Sequence, residues 1–151
     1  MRLSGHGLSI DVPDGWEARI LRRPGGGPVL HLATFALRAH DGDFGAAATG
    51  RMHGDDVFCA LLEFVGDDRA RAGVGLFEAD GRPALDPAQF RSNQLQVTRP
   101  GQYGWQRFYT DQGRMCCVYA VVMPQRRSIA ALVDDLAQVL TTVRSSAGRS
   151  A

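Results

Sequence analysis

The groups in this chain that could ligate a metal or move a proton are four histidines, three cysteines and sixteen carboxylates. His40 and His53 flank a glycine-rich stretch with Asp41, Asp43, Asp55 and Asp56 close by. A metal site would need these donors to converge, and neither histidine stands at the helical or Cys-paired spacing that sets zinc ligands side by side. Asp41-Gly42-Asp43 begins like a calcium loop, which needs a glycine at its sixth position and a glutamate at its twelfth. Ala46 and Met52 occupy those positions, so an acidic surface turn is expected there. Gly25–Gly27 could cradle a phosphate only ahead of a Lys-Ser/Thr pair and a helix; Pro28 and a strand follow instead. Cys116 and Cys117 are adjacent in a strand, so they point to opposite faces and cannot share a metal. They and Cys59 read as small apolar side chains. No Gly-x-Ser-x-Gly elbow is present. His31 lies among apolar residues and reads as a core histidine in need of a hydrogen-bond partner. No catalytic residue, metal or cofactor follows from these motifs.

Tyr103, Trp105, Arg107 and Tyr109 form a different kind of group. In a strand with Phe108 turned inward, Trp105, Arg107 and Tyr109 share the other face. Trp, Tyr and Arg are the types enriched at interaction hot spots. Equally, such a face could pack beneath a helix or a neighbouring strand.

These residues must be positioned by regular elements, and the apolar periodicity locates most of them. Leu8, Ile10 and Val12 alternate with polar residues, Pro13-Asp14-Gly15 reads as a turn, and Trp16, Ala18 and Ile20 alternate again. The pattern predicts an opening hairpin with one wet face, the mark of an antiparallel sheet. Val29–Leu37 and Val57–Val65 read as strands, with a short helix near Phe44–Met52 between them. A short strand is expected at Val74–Glu78 and another around Leu95 and Val97. Gly104–Thr110 and Met115–Met123 bracket Asp111-Gln112-Gly113, a second hairpin. From Ile129 to Val143, apolar residues recur at helical spacing behind a Ser128 cap. That stripe is expected to lie on the sheet face carrying Phe58, Ala60, Leu62 and Phe64. The fold class is therefore α+β, a mainly antiparallel sheet of six or seven strands with a long C-terminal helix packed on it. One domain spans 1–145, and a small polar tail from Ser145, flexible over 146–151, follows it.

The opening Gly7-Leu8-Ser9-Ile10-Asp11-Val12-Pro13-Asp14-Gly15-Trp16 resembles the first hairpin of the PsbP/Mog-like superfamily. The resemblance implies an α-β-α sandwich on an antiparallel sheet. It also implies non-enzymatic roles such as photosystem extrinsic subunits, a Ran-binding protein, bacterial lipoproteins and effector chaperones. It carries no catalytic residues. The overall look is that of an actinobacterial protein.

Composition narrows the partners. Net charge is +1, from 17 basic and 16 acidic residues, too small for a field that steers nucleic acid or an anionic membrane surface. Every basic residue is arginine, which suits a GC-rich genome. The N-terminal residues lack the apolar core of a secretory signal, and an odd cysteine count is a poor disulfide framework, so the expected compartment is the cytoplasm. The expected function is a non-enzymatic protein-binding module, adaptor or chaperone-like, acting on a protein partner or assembling with itself. The alternative is a small-ligand-binding domain or an enzyme with its pocket near residues 38–56.

Overall fold

The computed structural model describes residues 1–66 and 74–146. Eight strands run antiparallel: β1 (Arg2–Gly5), β2 (Leu8–Asp11), β3 (Glu17–Arg22), β4 (Pro28–Ala33), β5 (Val57–Phe64), β6 (Tyr103–Asp111), β7 (Arg114–Val122) and β8 (Arg144–Ser145). The α-helices among the described residues are α1 (Ala46–Thr49) and α2 (Ile129–Leu140). The expected α+β class and antiparallel pairing are present. The expected single sheet of six or seven strands is divided in two, a five-stranded sheet in the order β3-β4-β5-β7-β6 and a three-stranded sheet in the order β1-β2-β8.

The division begins at the opening segment. Pro13-Asp14-Gly15 does turn the chain, with the Trp16 amide donating to the Pro13 carbonyl at 3.2 Å and Gly15 at φ 84°. The strands it joins do not pair with each other. β2 is already flanked by β1 and β8, so it has no free edge for β3. Its hairpin partner is β1, reached through His6-Gly7, both residues with positive φ (48° and 82°) as a two-residue turn demands. Ser145 and Ser146, expected in a frayed tail, are instead tied down: Ser145 pairs with Leu8, and the Ser146 amide donates to Gly7. Residues 147–151 lie outside the described residues.

The second hairpin forms as expected. β6 and β7 pair from Tyr103↔Val122 to Asp111↔Arg114, and Gln112 and Gly113 take positive φ (50° and 78°) at the turn. α2 also forms where its apolar stripe predicts, and the Ser128 hydroxyl accepts from the Ala131 amide at 3.1 Å. The turn before it is organised by Asp55, whose carboxylate receives the amides of Gln125, Arg126 and Arg127 at 2.9–3.0 Å. These bonds, that of Arg127 foremost, hold the Asp55 carboxyl below the usual range.

α2 lies on the opposite sheet face from the expected one. Leu132, Val133, Leu136, Val139 and Leu140 pack with Val57, Cys59 and Leu61 of β5 and with Val118, Ala120 and Val122 of β7. Burying such side chains contributes ~1.5–3 kcal/mol each. Phe58, Ala60 and Leu62 face the other way, into a second core closed by Leu37, Ala48 and Met52 from the segment between β4 and β5. Both faces of β5 are apolar, so strand periodicity alone cannot say which one receives the helix.

Two expected strands are absent. Val74–Phe77 is a 3₁₀ turn, and Leu95 and Val97 follow another 3₁₀ turn at Ser92–Gln94. The outer edge of β6 is occupied by bridges at Asp80↔Thr110 and Arg91↔Gly104 and by the Gln94 side chain, leaving no continuous edge for a further strand.

Candidate functional site

The four aromatic and arginine positions of β6 do share one face, opposite Phe108, and that face looks towards α2. Packing claims much of it. Trp105 is 1 % exposed and Tyr109 4 %, whereas Tyr103 and Arg107 are half-buried. The Trp105 indole stacks on Phe90 with centroids 6.0 Å apart, and its N–H donates to Gln89 Oε1 at 3.1 Å. A 3₁₀ turn at Pro87–Gln89, opened by the Asp86 carboxylate on the Ala88 amide, holds Gln89 in place. Arg107 lies over the indole at 4.9 Å and donates to Gln89 Oε1 at 2.7 Å and Gln94 Oε1 at 3.1 Å. At this end the indole N–H and the Arg107 guanidinium both have protein partners.

The Tyr109 end is different. Tyr109 lines a recess of about 300 Å³ between the small sheet and the β6–β7 hairpin, and its hydroxyl has no hydrogen-bond partner among the described residues. Leu8, Leu61 and Val143 supply apolar wall. Arg82, Arg114 and Arg144 supply guanidinium groups, and Glu63 and Asp111 supply carboxylates. Each arginine is anchored on one side. Arg82 donates to the Leu140 carbonyl at 2.9 Å, Arg144 to the Val143 carbonyl at 3.0 Å and Arg114 to the Ser146 carbonyl. Arg114 Nε is also 3.5 Å from Glu63. Gly27 packs against the Glu63 carbonyl so closely that an added Cβ would stand 2.1 Å from the oxygen.

Electrostatics keeps the recess rich in donors. Burial pushes the Tyr109 phenol well above its ordinary range, and Cys116 acts in the same direction. Burial, with Glu63 and Asp111 adding to it, pushes the Cys116 thiol up to about 12. Both groups stay protonated near neutral pH, so they present hydrogens rather than nucleophilic anions. Cys117 and Cys59 are also raised to about 12 by burial. As expected of neighbours in a strand, Cys116 packs on the α2 side of the sheet and Cys117 in the other core.

The acidic and histidine segment proves architectural. Asp41, expected on a surface turn, is 1 % exposed, and its carboxylate accepts from Arg51 at 2.6 and 3.0 Å and from the Arg38 amide at 2.7 Å. Burial pushes this carboxyl up, but the bonds from Arg51 and Arg38 outweigh it and hold it below the usual range. His31 is fully buried, as a core histidine should be. Its Nε2 is 3.0 Å from the Asp43 carbonyl, and its Nδ1 has no partner. His40 and His53 are exposed. Among the described residues no group of three or more His, Cys, Asp or Glu could hold a metal. A groove of about 680 Å³ does run beside residues 39–43, lined also by β3, but no buried, unpaired polar group marks it.

Sequence reasoning found Tyr109 but not Arg82, Arg114 or Arg144. Nothing local marks Arg82. Arg144 reaches the recess only because β8 returns to pair with Leu8 and Ser9. The one available signal was the Asp111–Arg114 pair bracketing the hairpin turn, which places both groups at the recess mouth. No helix among the described residues is long and apolar enough to cross a membrane. Compared with known proteins, the chain matches no family model, no curated protein and no solved structure.

Proposed function

We propose that the protein is a small-molecule-binding domain whose site is the recess at Tyr109. One observation carries this reading: the hydroxyl of Tyr109, a side chain only 4 % exposed, has no partner among the described residues and lines a cavity into which Arg82 also brings guanidinium N–H groups. Buried polar groups in folded proteins are normally paired, and one left open beside a cavity is a group that a ligand can satisfy. The volume is at the lower end of the ~300–1,000 Å³ typical of ligand sites, so the ligand is small. On this reading the pocket lies at the β6–β7 end of the molecule rather than near residues 38–56.

The protein-binding reading, with a partner protein or a second copy, rested on Tyr103, Trp105, Arg107 and Tyr109 as one surface. With Trp105 and Tyr109 buried, Tyr103 and Arg107 remain to support it. The PsbP/Mog-like sandwich keeps support from the layer order, with α2 on one face of the sheet. Against it, the other face carries, among the described residues, the one-turn α1 and loops.

Saturation-transfer NMR of a mixed fragment library against the intact chain tests the ligand-binding reading. Fragments should bind, and their signals should fall in Arg82→Gln and Tyr109→Phe variants that retain the native melting profile. A library without hits, or hits indifferent to both substitutions, would overturn it.

A further inference from the structure

We infer that the recess selects a small carboxylate with an apolar body, an inference that rests on the binding reading above. The cavity combines two surfaces that one ligand must satisfy together. Its apolar part, Leu61 and Val143 beside Leu8, offers no hydrogen bonds and favours hydrocarbon. Its polar part is dominated by donors. Arg82 donates from Nη2 to the Leu140 carbonyl, and its remaining N–H groups have no partner among the described residues. Anchored on the Leu140 carbonyl, Arg82 lines the same recess as the Tyr109 hydroxyl.

The carboxylates do not cancel this bias. Glu63 is engaged by Arg114 at 3.5 Å, and Asp111 is exposed at the mouth. A guanidinium fork and a tyrosine O–H that line one recess suit a planar carboxylate, which can take two parallel N–H bonds and one O–H bond. An ammonium group would find donors where it needs acceptors. An inorganic phosphate would leave the apolar wall uncovered.

The test uses the intact chain and four probes of graded chemistry: benzoate, benzyl alcohol, benzylamine and inorganic phosphate. Each is titrated while the backbone amide signals of Arg82, Tyr109, Arg114 and Arg144 are followed by NMR. Benzoate should shift these signals saturably. Its affinity should fall about 10-fold or more in Arg82→Gln, as loss of a charged hydrogen bond of ~1.5–3 kcal/mol requires. Tyr109→Phe, which preserves the packing, should weaken benzoate by a smaller factor. Benzyl alcohol or benzylamine binding as tightly as benzoate would overturn the carboxylate assignment while leaving the small-molecule site standing. Phosphate binding without benzoate would overturn the apolar-body part. If none of the four moves these signals, the inference fails; the fragment screen then decides separately whether the recess binds anything.

Discussion

Trp105 and Tyr109 sit on the same face of one strand, equally buried, and differ in what becomes of their polar atoms. The indole N–H is taken by Gln89, stacked over by Arg107 and sealed by Phe90. The phenol O–H has no partner and lines a cavity. Aromatic residues contribute most of their stabilisation through buried area, so both rings hold the fold together. The polar handle separates the two: satisfied by the protein it belongs to structure, and left open at a recess it is available to a ligand. A third buried group, His31 Nδ1, is open but lies inside the core rather than in the recess, and it makes the fold sensitive to pH.

Trp105→Ala should have the largest effect, a loss of ~3–5 kcal/mol read by urea denaturation, because it empties a fully packed site. A loss below ~1 kcal/mol would mean that this end is not the sealed one.

His31 comes next. Burial lowers its pKa, against the opposing pull of the Asp43 carbonyl and the Asp41 and Asp43 carboxylates, with Arg19 adding to the lowering. The native state therefore holds the neutral ring. As pH falls below the ordinary histidine value of ~6.5, the unfolded chain takes up the proton first. Stability should fall by up to ~1.4 kcal/mol per pH unit until the lowered native value is reached. His31→Leu should flatten that segment of the stability–pH curve. An unchanged slope would show that this ring is not the group responsible.

Gln89→Leu removes the acceptor shared by Trp105 and Arg107 and should cost ~1 kcal/mol. The near-ultraviolet circular dichroism of the indole should change with it; an unchanged spectrum and stability would show that Gln89 is dispensable to the seal. Tyr109→Phe should have the smallest effect, within ~0.5 kcal/mol of the parent, because no protein bond is lost. A loss above ~1 kcal/mol would show that the hydroxyl is bonded within the fold, and the contrast with Trp105 would collapse.

Features written in neighbouring residues were readable before any coordinates. Asp111-Gln112-Gly113 between two alternating runs specified a hairpin of β6 with β7, and the structure narrows its turn to Gln112-Gly113 by pairing Asp111 with Arg114. Ser128 ahead of an apolar stripe specified the start of α2. Alternation along β6 placed Tyr103, Trp105, Arg107 and Tyr109 on one face, and adjacency sent Cys116 and Cys117 to opposite sides. Long-range choices were not readable. The turn at Pro13-Asp14-Gly15 is equally compatible with a hairpin and with a crossing between sheets, and the outcome depended on β1 and β8 occupying both edges of β2. Asp41 carries no local sign of burial; its partner Arg51 lies on the far side of α1.

The chain by itself determined periodicity, turns and caps, because these depend on backbone preferences and hydrogen bonds spanning a few residues. It thereby determined an α+β class and two apolar faces on β5. Only the tertiary structure decided which face α2 covers, which aromatic of β6 is sealed, and that Arg82, Arg114 and Arg144 meet around Tyr109. Those outcomes depend on which surfaces compete for burial once distant segments close on one another. Burial is rewarded by area without regard to direction, so no local pattern encodes its winner.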